Sequence, residues 1–270
     1  VMATGPLVRI KVNGAGSYSA TANGSGVYSI PSVVVAAGNV VTTYLDTKGG
    51  NQAVTITRAA GLTAVSGLNL YQDRVIVRHE DAGPITNANL GQYDADDDAD
   101  IAFTANSNNL VTADGAKLLV WTGKTFTPGG TITTSPSALP SLADGQVLIQ
   151  ASATLNMGAN DLTVGSSYMN SGTFIKSAGQ KTYFLATASA FSYTITPGTG
   201  NFENVYVDSP NYWNATADMA VDGDMQVNNS AHFTSSNILT ISGGDLTGSG
   251  YVEMSNGSTV NLYGTGSLGG

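Results

Sequence analysis

Short runs in which apolar and polar residues alternate dominate this chain. In the first run, Leu7–Val12, the residues Val8, Ile10 and Val12 fall on one side of an extended backbone. Alternation with a period of two predicts a half-buried β-strand. Pairs such as Asn13-Gly14 separate the runs and favour tight turns. The pattern as a whole predicts an all-β protein.

The first part of the chain, residues 1–79, is predicted to be a β-sandwich domain. The runs Ser17–Ala22 and Val27–Ile30 flank the sequence Asn23-Gly24-Ser25-Gly26, which predicts a hairpin. Further runs follow at intervals of about 8 to 12 residues as far as Arg78, and this spacing is typical of sandwiches.

Residues 80–105 break the alternation and are predicted to form an acidic connector between two domains. They contain Pro84 and a dense acidic stretch between residues 94 and 100. A charge run without apolar periodicity is usually solvated.

Residues 106–270 carry shorter strands and smaller corners, and we predict a parallel β-solenoid there. The segment Asn160–Val164 aligns with Asn237–Ile241, and at the same offset Phe174 meets Tyr251. We interpret this offset of 77 residues as an internal repeat. Short stacked strands separated by glycine and asparagine corners are typical of solenoids. The predicted fold is therefore an N-terminal β-sandwich followed by a C-terminal β-helix.

Composition limits the partners of this protein. Charged residues make up only 11% of the chain, the net charge is −9, and residues 182–270 contain no lysine or arginine. A negative surface repels nucleic acids and anionic lipid headgroups, so neither is an expected partner. The chain has no cysteine, which excludes a disulfide scaffold and thiolate metal sites.

The sequence also indicates a location. No run of about 18 apolar residues is present, so no membrane span is expected. The chain opens on Val1 without a basic and apolar leader, which indicates a processed or partial polypeptide. Together with the uncharged polar composition, these features favour an extracellular or cell-surface protein.

The acidic stretch is a candidate calcium site. Its aspartates recur at every second position, and hard cations bind several carboxylate oxygens. Calcium is the only cofactor that the sequence predicts, and the alternative is a solvated acidic segment without a ligand. The candidate ligands are Asp94, Asp96, Asp98 and Asp100.

Aromatic side chains suggest a second candidate site. Tyr212 and Trp213 adjoin Pro210 and are predicted to bind surface glycans by stacking, although such clusters also cap apolar faces. Candidate glycosylation sites, each the first residue of an N-x-[Ser/Thr] sequon, are Asn23, Asn214, Asn228 and Asn256.

Catalytic patterns are weak. His79 is followed by Glu80 and Asp81, but no zinc-binding spacing accompanies it, so an ion-pair patch is the favoured interpretation. Asp222 and Asp224 are spaced like a carboxylate pair and also like turn residues. We therefore expect a protein that is not an enzyme.

Two stretches carry a family resemblance. The run Gly24–Pro31, followed by Ala37–Val41, resembles the hairpin of carboxypeptidase-regulatory-like and prealbumin-like β-sandwiches. The stretch Leu118–Gly130 resembles the opening rung of solenoid regions in large bacterial extracellular surface proteins, and with Tyr71–Glu80 this resemblance spans most of the chain. It implies a surface location and a structural or binding role.

Strand edges suggest a role in self-assembly. Unpaired edges act as templates for other chains unless lysine, proline or a cap blunts them. The run Ser258–Gly264 alternates and carries neither charge nor proline. The residues predicted to mediate assembly are Leu7, Val8, Ile10, Val12, Val260, Leu262 and Tyr263.

The expected function is therefore that of a non-enzymatic extracellular structural protein, which forms a homopolymeric filament or surface appendage through unpaired terminal strands. A first alternative is a glycan-binding adhesin module of a larger surface protein. A second alternative is a carbohydrate-active β-helix enzyme.

Overall fold

The computed structural model describes residues 5–47, 50–135, 144–186, 192–263 and 269. Within these ranges the regular structure is almost entirely β-strand, and the helix α1 (Asn87–Leu90) is a single turn. The predicted all-β class is therefore confirmed.

The chain begins with an antiparallel sheet. Its strands lie in the order β2, β1, β3, β4, and β5 then joins β4 in parallel. The predicted turn at Asn13-Gly14 connects the first two strands, and both residues have positive φ angles of 49° and 72°. The strand bounds are β1 (Leu7–Val12), β2 (Ala15–Thr21), β3 (Val40–Asp46), β4 (Val54–Arg58) and β5 (Arg74–Val77).

From residue 103 onward the described chain winds as a β-solenoid, as predicted. Its strands pair in parallel except at the start, where Phe103–Ala105 pairs in antiparallel with Asn109–Thr112. Its strands are β6 (Phe103–Ala105), β7 (Asn109–Thr112), β8 (Lys117–Val120), β9 (Thr125–Phe126), β10 (Thr131–Thr133), β11 (Val147–Ile149), β12 (Thr154–Gly158), β13 (Leu162–Val164), β14 (Tyr168–Asn170), β15 (Thr173–Lys176), β16 (Lys181–Phe184), β17 (Ser192–Thr196), β18 (Asn204–Asp208), β19 (Tyr212–Ala215), β20 (Met219–Val221), β21 (Met225–Asn228), β22 (His232–Ser235), β23 (Ile238–Ile241), β24 (Leu246–Thr247), β25 (Tyr251–Met254) and β26 (Thr259–Leu262).

The solenoid has three faces. The first face continues the N-terminal sheet, so that one long sheet runs β2-β1-β3-β4-β5-β8-β11-β14-β17-β19-β22-β25. The second face runs from β6 to β24. The third face consists of β9-β12-β15 and β20-β23-β26, with the isolated bridges Thr173–Thr199 and Phe202–Val221 between them.

Alternation along each strand fills the interior with apolar side chains. Aromatic rings dominate the middle turns, where Tyr168 lies 5.5 Å from Phe202 and Phe184 lies 5.3 Å from Trp213, measured between ring centroids. All four side chains are essentially inaccessible to solvent. Burial of such large rings is the main source of stability in a chain with so few charges.

The internal repeat predicted at 77 residues is wrong. It aligns Leu162 on the second face with Leu239 on the third face, and these positions are not structurally equivalent. Equivalent positions in successive solenoid turns are instead set by strand register, and their spacing along the sequence varies with the length of each solenoid turn. Positions in register on the second face are Leu162, Thr182, Val205, Met225 and Leu246.

The two sides of the N-terminal sheet differ. One side, with Tyr44 and Ile56, joins the main core, whereas the other forms a small separate cluster around Ile10, Val41 and Ala59. Segments without strand structure cover this second side, and Val27–Ile30 is not the predicted strand. The mixed antiparallel start is established, while a prealbumin-like sandwich stays a prediction.

The acidic segment packs into the molecule. Ile85 pairs with Phe126 on the third face, and Leu90 and Ile101 are buried in the main core. The predicted domain boundaries after residues 79 and 105 stay predictions. One feature crosses both of them, since β5 pairs directly with β8 in the long sheet.

Candidate functional site

The acidic segment is held by its own backbone. The two carboxylate oxygens of Asp94 accept hydrogen bonds from the N–H groups of Asp96 (2.9 Å) and Ala105 (2.7 Å). Asp94 is buried, whereas Asp96 is exposed. The Asp94 carboxylate therefore connects the two ends of the loop between residues 94 and 105.

Asp98 and Asp100 link the acidic segment to the N-terminal sheet. Asp98 accepts hydrogen bonds from the hydroxyl groups of Tyr44 (2.8 Å) and Tyr93 (3.2 Å), and Asp100 accepts one from the backbone N–H of Thr47 (3.1 Å). Burial, reinforced by these hydrogen bonds, raises the pKa of Tyr44 well above its usual range. Both tyrosines therefore act as neutral donors.

These contacts bear on the calcium prediction. Within the described ranges, no group of three or more histidine or acidic side chains is arranged to hold a metal ion. Asp94, Asp98 and Asp100 accept hydrogen bonds from separate backbone and tyrosine donors, and Asp96 is exposed. Calcium binding stays a prediction.

Trp213 is not a glycan platform. Its side chain is 0% exposed, lies 4.9 Å from Tyr193, and donates from Nε1 to the Ser209 hydroxyl oxygen at 3.3 Å. A stacking platform needs a solvent-facing ring. The prediction was wrong because alternation along β19 points Tyr212 outward and Trp213 inward.

Tyr212 belongs instead to an exposed ladder on the outer side of the long sheet. Strand register places Tyr212, His232 and Tyr251 in one column, with ring centroids 4.6 and 4.4 Å apart. The rings of Tyr212 and His232 are tilted by 30° to each other, and those of His232 and Tyr251 are stacked at 19°. His232 Nδ1 lies 2.8 Å from Glu253 Oε1. In the sequence, the members of this ladder are separated by the length of one solenoid turn and are not adjacent to one another.

The strand Leu7–Val12 is not an edge. It pairs with β2 on one side and with β3 on the other, so Leu7, Val8, Ile10 and Val12 offer no free backbone to a second chain. The prediction that this strand is unpaired was wrong, because the hairpin at residue 13 folds β2 back against it. The edge of the sheet is β2.

The C-terminal assembly residues do lie at an edge. The strand β26 pairs only with β23, and no described strand occupies its other side. Val260 and Leu262 are half-buried against the core, and Tyr263 is 57% exposed.

The four predicted glycosylation sites occupy different settings. Asn256 lies in an exposed turn, and Asn23 lies in another, where its side chain accepts the N–H groups of residues 25 and 27. Asn214 projects outward from β19 and accepts a hydrogen bond from Thr234, whereas Asn228 is the last residue of β21.

His79 has no free ring nitrogen. The N–H of Thr125 donates to Nε2 at 2.9 Å, so Nδ1 is the donor to the carbonyl of Asp81, also at 2.9 Å. Nearby, Arg78 pairs with Glu80 at 2.6 Å. Burial alone would raise the pKa of Glu80, but the hydrogen bond and charge of Arg78 outweigh it and lower that pKa. These groups form a structural patch.

Sequence patterns did not predict an ion cluster that the structure forms on the third face. Lys176 Nζ contacts the carboxylates of Glu203 and Asp222, the latter at 2.7 Å, and Asn201 donates to the other Asp222 oxygen at 2.8 Å. Burial opposes both charges, but the hydrogen bonds win: the pKa of Lys176 is raised and that of Asp222 is lowered. A carboxyl group that acts as a general acid needs a raised pKa, whereas that of Asp222 is lowered. The cluster is instead suited to joining neighbouring turns.

Asp224, the other member of the predicted carboxylate pair, accepts a hydrogen bond from the backbone. Its Oδ1 accepts the N–H of Asp245 at 3.0 Å in the next turn. Asp222 and Asp224 thus face different partners.

Comparison with known proteins adds no identification. No family model, no curated protein and no solved structure matches this chain. Across the described residues, no helix is long and apolar enough to span a membrane.

Proposed function

We propose that this chain is a non-enzymatic extracellular structural protein that assembles into a filament or surface appendage through its terminal strands. The observation that carries the proposal is the long sheet, in which twelve strands lie side by side from β2 to β25. Such a sheet makes a stiff rod, because each turn is hydrogen-bonded to the turns on either side.

Both ends of this rod support assembly. At one end, β2 carries neither charge nor proline, and most of its residues are exposed. At the other end, β26 has a side without a described partner. Natural edge strands in monomers usually carry lysine, proline or a cover, and these two strands carry no such protection in their own sequences.

Assembly is testable by electron microscopy and light scattering of the purified protein. We expect fibres in the wild type. Thr259→Lys, which places a charge on the β26 edge, is expected to reduce fibre mass strongly. The matched control is Ile175→Lys, because Ile175 is exposed on a strand in the middle of the solenoid. Wild-type protein that stays monomeric at high concentration would refute the proposal.

A second candidate function is glycan binding, and the exposed ladder favours it. Tyr212 and Tyr251 are 44% and 53% exposed, and each has one ring face that the ladder does not cover. Aromatic faces beside hydrogen-bonding groups such as Glu253 are suited to sugars.

A glycan array distinguishes the two candidates. Tyr251→Ala should abolish any glycan signal and leave fibres intact. Tyr183→Ala is the control, because Tyr183 stacks on Tyr206 on another face, at 4.9 Å. Binding that survives Tyr251→Ala together with Tyr212→Ala would exclude the ladder.

A further inference from the structure

The most exposed large apolar side chains of the described residues share one location. Val27, Val34 and Leu62 are 63%, 72% and 85% exposed, more than any other large hydrophobic side chain. All three line a groove of about 900 Å³ on the outer side of the N-terminal sheet. Such a concentration of exposed apolar surface marks an interaction site more often than scattered single residues do.

The groove contains no charge. Its lining comes from residues 26–35 and 62–69, with Ile10 and Val41 at the base, and none of these side chains is ionisable except that of Tyr28. An occupant is therefore expected to be uncharged and to bring some apolar side chains to the surface formed by Val27, Val34 and Leu62.

The walls of the groove are irregular in structure. Residues 28–35 and 60–71 form no strands, and within the described chain they make no backbone-to-backbone hydrogen bonds. Side chains nevertheless hold the second wall in place: Tyr28 donates to the Leu68 carbonyl, and Arg78 donates to the Gly67 carbonyl at 2.5 Å. Side chains thus occupy the carbonyls of residues 66–69 and keep the groove preformed. An extended segment that enters a preformed groove is held by main-chain hydrogen bonds and by pockets for its side chains.

We infer that this groove receives the last described turn of a second copy of the chain, with β26 as the added edge and Tyr263 as the anchor. The inference rests on the proposed assembly and names its receiving surface. Residues 254–263 contain no charged side chain, which matches the groove. Exposed tyrosine is a frequent anchor at protein interfaces, because its ring buries a large area.

The occupant must come from another molecule. The last described turn lies nine strand-to-strand steps from β3 along the long sheet. At about 4.8 Å a step this is roughly 43 Å. Donor and groove are different surfaces at opposite ends of the rod, so the contact is head-to-tail and gives an open filament unless the rotation closes a ring.

Binding of a labelled peptide tests the contact directly. The probe is a synthetic peptide with the sequence of residues 254–263, titrated into the full chain and followed by fluorescence polarisation. We expect saturable binding, and about a tenfold loss or more for Leu62→Asp or Val34→Asp, the effect of spoiling one interface anchor. Met169→Asp is the control, since Met169 is 44% exposed outside the groove.

The peptide has its own control. A version with Tyr263→Ser should bind about tenfold more weakly, as expected when an aromatic anchor is removed. Circular dichroism melting of each protein variant establishes that it is folded. A folded Leu62→Asp protein that binds the peptide as tightly as wild type would overturn the inference.

Fibre assays separate this inference from the function on which it rests. If Leu62→Asp forms fibres as readily as wild type while Thr21→Lys on β2 does not, the receiving surface is the β2 edge and the groove inference fails alone. If the wild type forms no fibres, the assembly proposal fails. Loss of fibres in Leu62→Asp and in Tyr263→Ser, with Met169→Asp unaffected, is the expected result.

Discussion

The N-terminal sheet and the solenoid differ in how the outer side of the long sheet is treated. In the later turns the outer side of the long sheet carries polar residues such as Thr194, Asn214 and Thr234, which need no cover. Near the N-terminus the equivalent side carries Ile76 and Leu119, which are buried. On this part of the sheet, Tyr71 of the irregular segment 60–71 stacks on Trp121.

The difference shows what repetition achieves. A solenoid turn satisfies its backbone on the turns above and below, so short strands with small corners suffice. Among the described residues, no further turn lies below the first sheet, whose edge is β2. It is closed by segments that are not strands, and these segments leave backbone groups and apolar side chains exposed.

The largest expected effect tests where the stability lies. Trp213→Ala should lower the free energy of unfolding by about 3–5 kcal/mol, because it empties a large buried site in the solenoid. Leu62→Ala, at the exposed N-terminal groove, should change it by less than about 0.5 kcal/mol. Denaturant unfolding measures both, and equal effects would erase the distinction between the two regions.

Glycine substitutions test the close packing of turns. An added Cβ at Gly172 would lie 2.3 Å from the Ala153 carbonyl oxygen and 2.5 Å from that of Gln150. Gly172→Ala should therefore cost about 1–3 kcal/mol of stability. Gly24 has no atom within 4 Å of the added Cβ, and Gly24→Ala should be neutral or stabilise by up to about 1 kcal/mol. Thermal melting of the pair provides the comparison, and a harmless Gly172→Ala would contradict it.

The acidic segment tests how the first region is fastened. Asp94→Ala leaves the N–H groups of Asp96 and Ala105 without their acceptor, at a cost of about 1.5–3 kcal/mol. Asp96→Ala, at an exposed side chain, should cost less than about 0.5 kcal/mol. Unfolding curves with and without calcium address the metal prediction as well, since a cation that binds the native state raises its midpoint.

The smallest expected effect concerns the ion cluster between turns. Lys176→Met should cost about 1 kcal/mol or less, because the cluster is partly exposed and water screens it. The folded pKa of Asp222 lies below its ordinary 3.8, so its contribution is present above that value and is lost as the pH falls through the folded pKa.

Lys176 sets the upper pH limit of the stability that the ion cluster contributes. The folded pKa of Lys176 lies above its ordinary 10.5, so its contribution is complete below that value and is lost as the pH rises through the folded pKa. The stability difference between wild type and Lys176→Met should be largest between about pH 5 and 9 and should shrink outside that window. A difference independent of pH would show that the methionine acts through packing alone.

Several sequence interpretations depended on local pattern and were confirmed. Alternation in runs such as Leu239–Ile241 and the small corners between them correctly predicted β-strands and a solenoid. These features are local. The two-residue alternation of side chains in a strand and the residue preferences of a tight turn both depend on residues adjacent in the sequence.

The errors arose where a local pattern allowed two outcomes. Either Tyr212 or Trp213 could face inward, and the register of β19 between β17 and β22 placed Trp213 beside Tyr193 and Phe233. A one-residue shift would have exchanged the two sides. The 77-residue repeat failed for a related reason, since equal spacing along the chain does not ensure the same face.

The sequence by itself determined that this chain is β-rich, turns on small polar corners, carries few charges and lacks cysteine chemistry. Only the tertiary structure decided which strands have free edges, which aromatic rings are buried and where the uncharged groove lies. Composition and alternation act over a few residues, whereas edges, faces and grooves are set by strand register between residues that lie 20 or more positions apart.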